Sequence, residues 1–217
     1  MAKNADACVD CDTDNVRKTA ASKIFETARD LFYRRGIRAV GVDEIVCEAG
    51  VTKPSLYRAF KSKDELVAAC LRESAREGFE EINALLEAAG DDPHDKLRAL
   101  IHHYAQKTHD PAFRGCLISN VAVELPEPDH PGREVLRACK TSLHGRLHDL
   151  ARDIGAADPE TLADGLVLVI EGAISSHHIF GRMGPTRSMT ATCESLIAEH
   201  LRRQGSRAEA AQPALQD

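Results

Sequence analysis

Apolar residues recur at three- and four-residue spacing along almost the whole chain, and short glycine- or proline-bearing breaks cut that recurrence into segments. This constrains the fold more than any other feature, because a 3.6-residue period places apolar side chains on one helical face. Ile24, Ala28, Leu31 and Phe32 form the first such face, and Gly36 ends it as a left-handed cap would. Ser62-Lys63-Asp64-Glu65 reads as a capping box that opens a long helix carrying Leu66, Cys70, Phe79, Ile82 and Leu86. Asp92-Pro93, Asp110-Pro111, the run PEPDHPG and Asp158-Pro159 each stop one helix and start another. The helix begun at Pro159 is unusually apolar (Leu162, Leu166, Val169, Ile170, Ala173, Ile174), and a last one follows Gly184-Pro185. No stretch alternates with a two-residue period, so the expected class is all-α, with about nine helices.

The chain has 217 residues and a net charge of −6, and that charge is unevenly spread. Between Val16 and Lys63 stand eleven basic and five acidic residues, so this segment carries +6 and the remainder −12. A basic head on an acidic body points to a polyanion as the partner of the head. No apolar run approaches the roughly 20 residues that span a bilayer, and the first residues lack the apolar core of an export signal. Seven cysteines, an odd number, fit a reducing cytoplasm better than a disulfide framework. Cys8 and Cys11 form a single CxxC without a second pair or a nearby histidine, and the reading for residues 1–16, as for 205–217, is a disordered tail.

The head contains two short helical segments joined at Gly50, a helix-turn-helix pattern over residues 41–60. Ile45, Val51 and Leu56 supply the core between them. Thr52 is placed to cap the second helix, and Pro54 sits in its first turn, where a missing N–H costs nothing. Such a second helix enters the DNA major groove. Its outward residues Lys53, Ser55, Tyr57 and Arg58 are candidates for base and phosphate contact, with Arg38, Thr52 and Pro54 beside them and Lys61 and Lys63 as phosphate contacts.

Four motifs then coincide in order and spacing: A28-x2-L31-F32-x3-G36, V42-x-E44-I45-x3-A49-G50-V51, L56-Y57-x2-F60 and K63-x-E65-L66. Together they resemble the N-terminal domain of the tetracycline-repressor (TetR/AcrR) family of transcriptional regulators over about residues 17–71. Three positions depart from the pattern. Gly41 stands where a Ser or Thr often caps the second helix, Val46 where alanine is usual, and Ala59 where an aromatic residue or histidine is common. The resemblance implies a homodimer joined through helices 159–181 and 186–203, a ligand-binding and dimerisation domain over 72–204, and a small-molecule effector that releases a palindromic operator. The apolar helix from Leu162 independently asks for cover on a second face.

For the effector, Cys116, Asn120 and Glu124, spaced four apart in an apolar segment, are the candidates, with His177 and His178 late in the apolar helix. Cys116 is also a candidate reactive thiol if a cation such as Arg114 lies beside it. His144 and His148 stand i, i+4, a metal-binding spacing, but no carboxylate motif adjoins them in sequence, and no metal or cofactor is expected. There is no G-x-S-x-G, no phosphate-binding glycine loop and no H-E-x-x-H, so the expectation is a regulator rather than an enzyme.

Overall fold

A computed structural model describes residues 19–111 and 113–211; the CxxC at Cys8–Cys11, the rest of the expected 1–16 tail and residues 212–217 lie outside the described residues. Among those described there are nine α-helices and no strand. The helices are α1 (Ala20–Arg35), α2 (Val42–Glu48), α3 (Lys53–Ala59), α4 (Lys63–Ala88), α5 (Pro93–His109), α6 (Leu117–Glu124), α7 (Pro131–Asp153), α8 (Pro159–Phe180) and α9 (Met189–Ala211). Two 3-10 turns, Gly181–Met183 and Pro185–Ser188, join α8 to α9. Residues 205–211, expected as tail, continue α9.

Side-chain caps start most helices where the sequence places them. Thr19 accepts from the Ser22 amide, Ser62 from Glu65, Asp92 from His94 and Asp158 from Thr161. Each satisfies an amide that a helix start leaves without a partner. The Ser62 box differs in one detail, because the Glu65 carboxylate reaches back to the Lys61 amide (2.7 Å).

Two apolar cores stack along the molecule. The larger gathers α5, α7, α8, the end of α4 and the start of α9 around Leu100, Leu147, Leu166 and Ile170, all 0% exposed. The smaller joins α1, α2, α3 and the start of α4 around Ile24, Ile45, Leu56 and Leu66, also 0% exposed. It does not stop at the head: Leu117, Ile118, Val121 and Leu125, on and just after α6, are buried in it. The element after the α5–α6 loop is thus packed as part of the basic head's core.

Candidate nucleic-acid interface and the cavity behind it

The turn between α2 and α3 is closed by backbone bonds from Ala49 to Ile45 (2.9 Å) and from Val51 to Val46 (3.0 Å). Gly50 carries the positive φ of 62° that this reversal demands. Fully buried Ile45 and Leu56 lock α3 against α2. Thr52 occupies the cap position of α3, but its hydroxyl lies 2.9 Å from that of Ser55 and not on a backbone amide. Thr52, Lys53, Pro54, Tyr57 and Arg58 are exposed, with Ser55 half-buried among them. Tyr57, 48% exposed, presents a large aromatic ring to solvent at the centre of this face.

Much of the positive charge in the head is spent internally. Arg29 pairs with Glu77, Arg34 with Asp30 and Glu48, and Arg35 with Glu44. Arg58 and Lys61 form no ion pair with a described residue, while Lys53 is held by Asp43 (2.8 Å) and Arg38 by Glu127 (3.3 Å). All four are exposed, so a phosphate can replace the two acidic partners at little cost. The hydrogen bond to Asp43 raises the Lys53 pKa and keeps it charged. Lys63 corrects the expectation of a phosphate contact. It is half-buried, its ammonium donates to the Ile37 carbonyl (2.7 Å) over the Phe32 ring, and burial lowers its pKa. Its task is to tie the start of α4 to the turn after α1.

Behind the head lies a cavity of about 780 Å³, bounded by α1, α4, α5, α6, α7 and α8. Its wall is mainly apolar, with Phe79, Ile82, Leu143 and Ile174, and charged or polar side chains of several helices interrupt it, among them Glu26, Arg29, Asp30, His103, Lys107 and Lys140. Lys140, on this wall, places its ammonium 3.9 Å from the Cys116 sulfur and 2.6 Å from the carboxylate of Glu171, which does not itself line the cavity and accepts from the Ser119 hydroxyl (3.0 Å). Burial pulls the Lys140 pKa down, but Cys116 and Glu171 beside it outweigh that and hold it above the ordinary lysine value. Burial also raises the pKa of Tyr104 and of Cys139, both on the same wall. This arrangement suits a ligand of mainly apolar surface that also carries polar groups.

The expected ligand residues separate in space. Cys116 lines the cavity as the cap residue of α6, because the helix starts at Leu117 and not nearer Pro111. Asn120 and Glu124 do not line it. Glu124 points from the far end of α6 into the head and accepts from the Ile37 and Arg38 amides (2.5 and 3.1 Å). His177 and His178 border a separate cleft with Phe113 and Arg114, where the His177 ring stands edge-on to Phe113 at 5.4 Å. Arg114 is not the cation beside Cys116: its guanidinium donates to the Arg34 carbonyl, and Lys140 takes that place. Lys140 and Glu171 were legible only as charges set into apolar faces, at positions where the helical period buries a side chain. His144 and His148, on α7 outside the cavity, face Glu160 and Asp164 of α8, carboxylates that adjoin them in space although not in sequence.

A family model described as bacterial regulatory proteins, tetR family, matches residues 24–70, and one described as tetracyclin repressor-like, C-terminal domain, matches residues 93–193. The transcriptional repressor DhaR of Mycobacterium sp. strain GP1 is 30% identical over 192 residues, covering 83% of this chain and 94% of that protein. The transcriptional activator FasR of Mycolicibacterium smegmatis is 28% identical over 156 residues, 70% of this chain and 69% of that protein. Among solved structures, SCO4454, a TetR-family transcriptional regulator from Streptomyces coelicolor, superposes with a TM-score of 0.75 at 28% identity, covering 83% of this chain and 95% of that one.

Proposed function

The chain belongs to the TetR family of bacterial regulators, and from that premise we propose that it is a ligand-responsive repressor that binds a palindromic operator as a homodimer. The observation that carries the reading is the Glu124 clamp, which joins the cavity-lining helix α6 to the backbone beside the DNA-binding head. An effector that repositions Cys116 and the start of α6 moves a rigid eight-residue helix whose other end holds Ile37 and Arg38. Release of DNA then requires that the effector bind the displaced state more tightly than the DNA-competent one, since only differential affinity shifts the equilibrium.

At the DNA, Tyr57, Lys53 and Ser55 read bases, while Arg38, Thr52, Arg58 and Lys61 position the backbone. The dimer forms through α8 and α9. Leu168 and Ile179, 73% and 71% exposed, lie with Gly172 and Ser175 along one stripe of α8. Such a face is covered in an isologous interface. No helix among the described residues is long and apolar enough to cross a membrane, and the place of action proposed is the cytoplasm. The cavity acts by binding, not by catalysis.

Fluorescence anisotropy against the DNA upstream of the protein's own gene tests the reading, with a scrambled duplex beside it. Specific binding that weakens steeply with salt and collapses in the Tyr57→Ala, Lys53→Ala double variant supports it. A folded dimer that binds no duplex at low salt refutes it.

A further inference from the structure

We propose that His144 and His148 of α7, together with Glu160 and Asp164 of α8, form a binding site for a divalent transition-metal ion, zinc by the nature of its donors. Each helix contributes two side chains one turn apart, and the α7–α8 packing sets the two pairs side by side. His144 Nε2 lies 2.8 Å from Asp164 Oδ1 and 3.9 Å from Glu160 Oε1, and His148 Nε2 lies 3.7 Å from Glu160 Oε2. The donor atoms of His144, Glu160 and Asp164 all fall within 4.8 Å of one another. Donors of a tetrahedral ion with bonds of about 2.1 Å stand about 3.4 Å apart. Small rotamer adjustments therefore convert these three into a ligand set, and His148, which lies outside the group and touches only Glu160 of its members, turns in to supply the fourth donor.

Most other ion-paired surface carboxylates meet a lysine or arginine, and Asp64, like this cluster, meets a histidine, His130, but singly. Glu73 and Glu80 meet Arg76, Glu81 meets Lys107, and Glu199 meets Arg202 and Arg203. Among the described residues, the only ion-pair partners of Glu160 and Asp164 are the two histidines. Two carboxylates thus converge on imidazole nitrogens with no ammonium or guanidinium between them, a donor set that a dication completes. Asp149, 3.8 Å from His148 Nδ1, is held by the Arg152 guanidinium (3.0 Å) and is not counted among the donors. When the metal takes His144 Nε2, the ring proton resides on Nδ1 and the present contact with Asp164 gives way to coordination. Two nitrogens among four donors favour zinc over magnesium or calcium, which prefer oxygen alone. The bound ion ties the start of α8 to the middle of α7.

The test uses full-length, chelator-stripped protein carrying Cys8→Ser and Cys11→Ser, so that the CxxC cannot supply the site. Cobalt(II) serves as the spectroscopic probe and zinc as the competitor. Expected are visible d–d bands of low-coordinate cobalt at one equivalent per chain, their loss on adding zinc but not excess magnesium, and a melting temperature that rises with zinc by mass action. Asp164→Asn and His144→Asn each weaken binding at least about tenfold. Circular dichroism shows whether each variant keeps its helices, and Asp164→Asn, a change of an exposed side chain, decides the matter if His144→Asn unfolds. Binding below one equivalent, or an affinity unchanged in a folded Asp164→Asn variant, overturns the proposal.

Discussion

At the residue scale, Glu124 joins two requirements that the sequence keeps 86 and 87 positions apart. Gly36 turns the chain after α1 with φ of 85°, and a Cβ built there meets the Glu124 carboxylate at 3.0 Å. The glycine is needed both for its conformation and for the approach of that carboxylate. Glu124→Ala leaves the Ile37 and Arg38 amides without their acceptor. The expected loss is about 1–3 kcal/mol in urea unfolding, with faster hydrogen exchange at those two amides. Buried thiols set a second, pH-dependent effect. Burial pushes Cys70 from an ordinary 9.0 to about 12, and Cys193 to about 11. The unfolded chain therefore releases these protons at lower pH than the folded one, so stability is intact below about pH 9 and falls as pH rises toward 12. In the Cys70→Ala, Cys193→Ala protein, the urea midpoint should decline less steeply over that range, even though its starting value is lower.

At the scale of the element, α3 is short, and its value lies in what it exposes. Lys61, just beyond its end, has no ion partner among the described residues, so Lys61→Ala should weaken operator and scrambled DNA by similar factors. It should also lower the slope of log K against log salt by about one. Tyr57→Ala should instead cut the ratio between the two duplexes, which the same anisotropy titrations measure. The boundaries of α2, α3 and α4 were legible because glycine, proline and capping residues act locally. Those of α6 were not. Asp110-Pro111 reads as a helix start, yet α6 begins only at Leu117, after Gly115 at φ of 83°, where Leu117 and Ile118 can enter the head's core.

At the scale of the whole molecule, the exposed stripe of α8 decides the assembly. Leu168→Glu places a carboxylate in the proposed dimer face, so sedimentation should show a shift toward monomer. Operator affinity should fall with it, while the helical circular dichroism stays the same. The basic head shows the limits of counting charges: four of its arginines, Arg29, Arg34, Arg35 and Arg38, pair with acids of the chain itself, and Lys63 turns inward.

What the sequence determined by itself is whatever depends on short-range chemistry. The 3.6-residue period, the caps, the glycine turn and the order of motifs in residues 28–66 specify an all-α chain with a DNA-binding head. Only the tertiary structure decided which charges oppose one another. Packing α6 into the head carried Glu124 away from the cavity, α7 brought Lys140 to Cys116, and α8 brought Glu160 and Asp164 to the two histidines. Helical periodicity says that a side chain shares a face with its neighbours three and four residues away. It does not say which helix that face will meet, and that is set by how the apolar surfaces of the described helices are buried together.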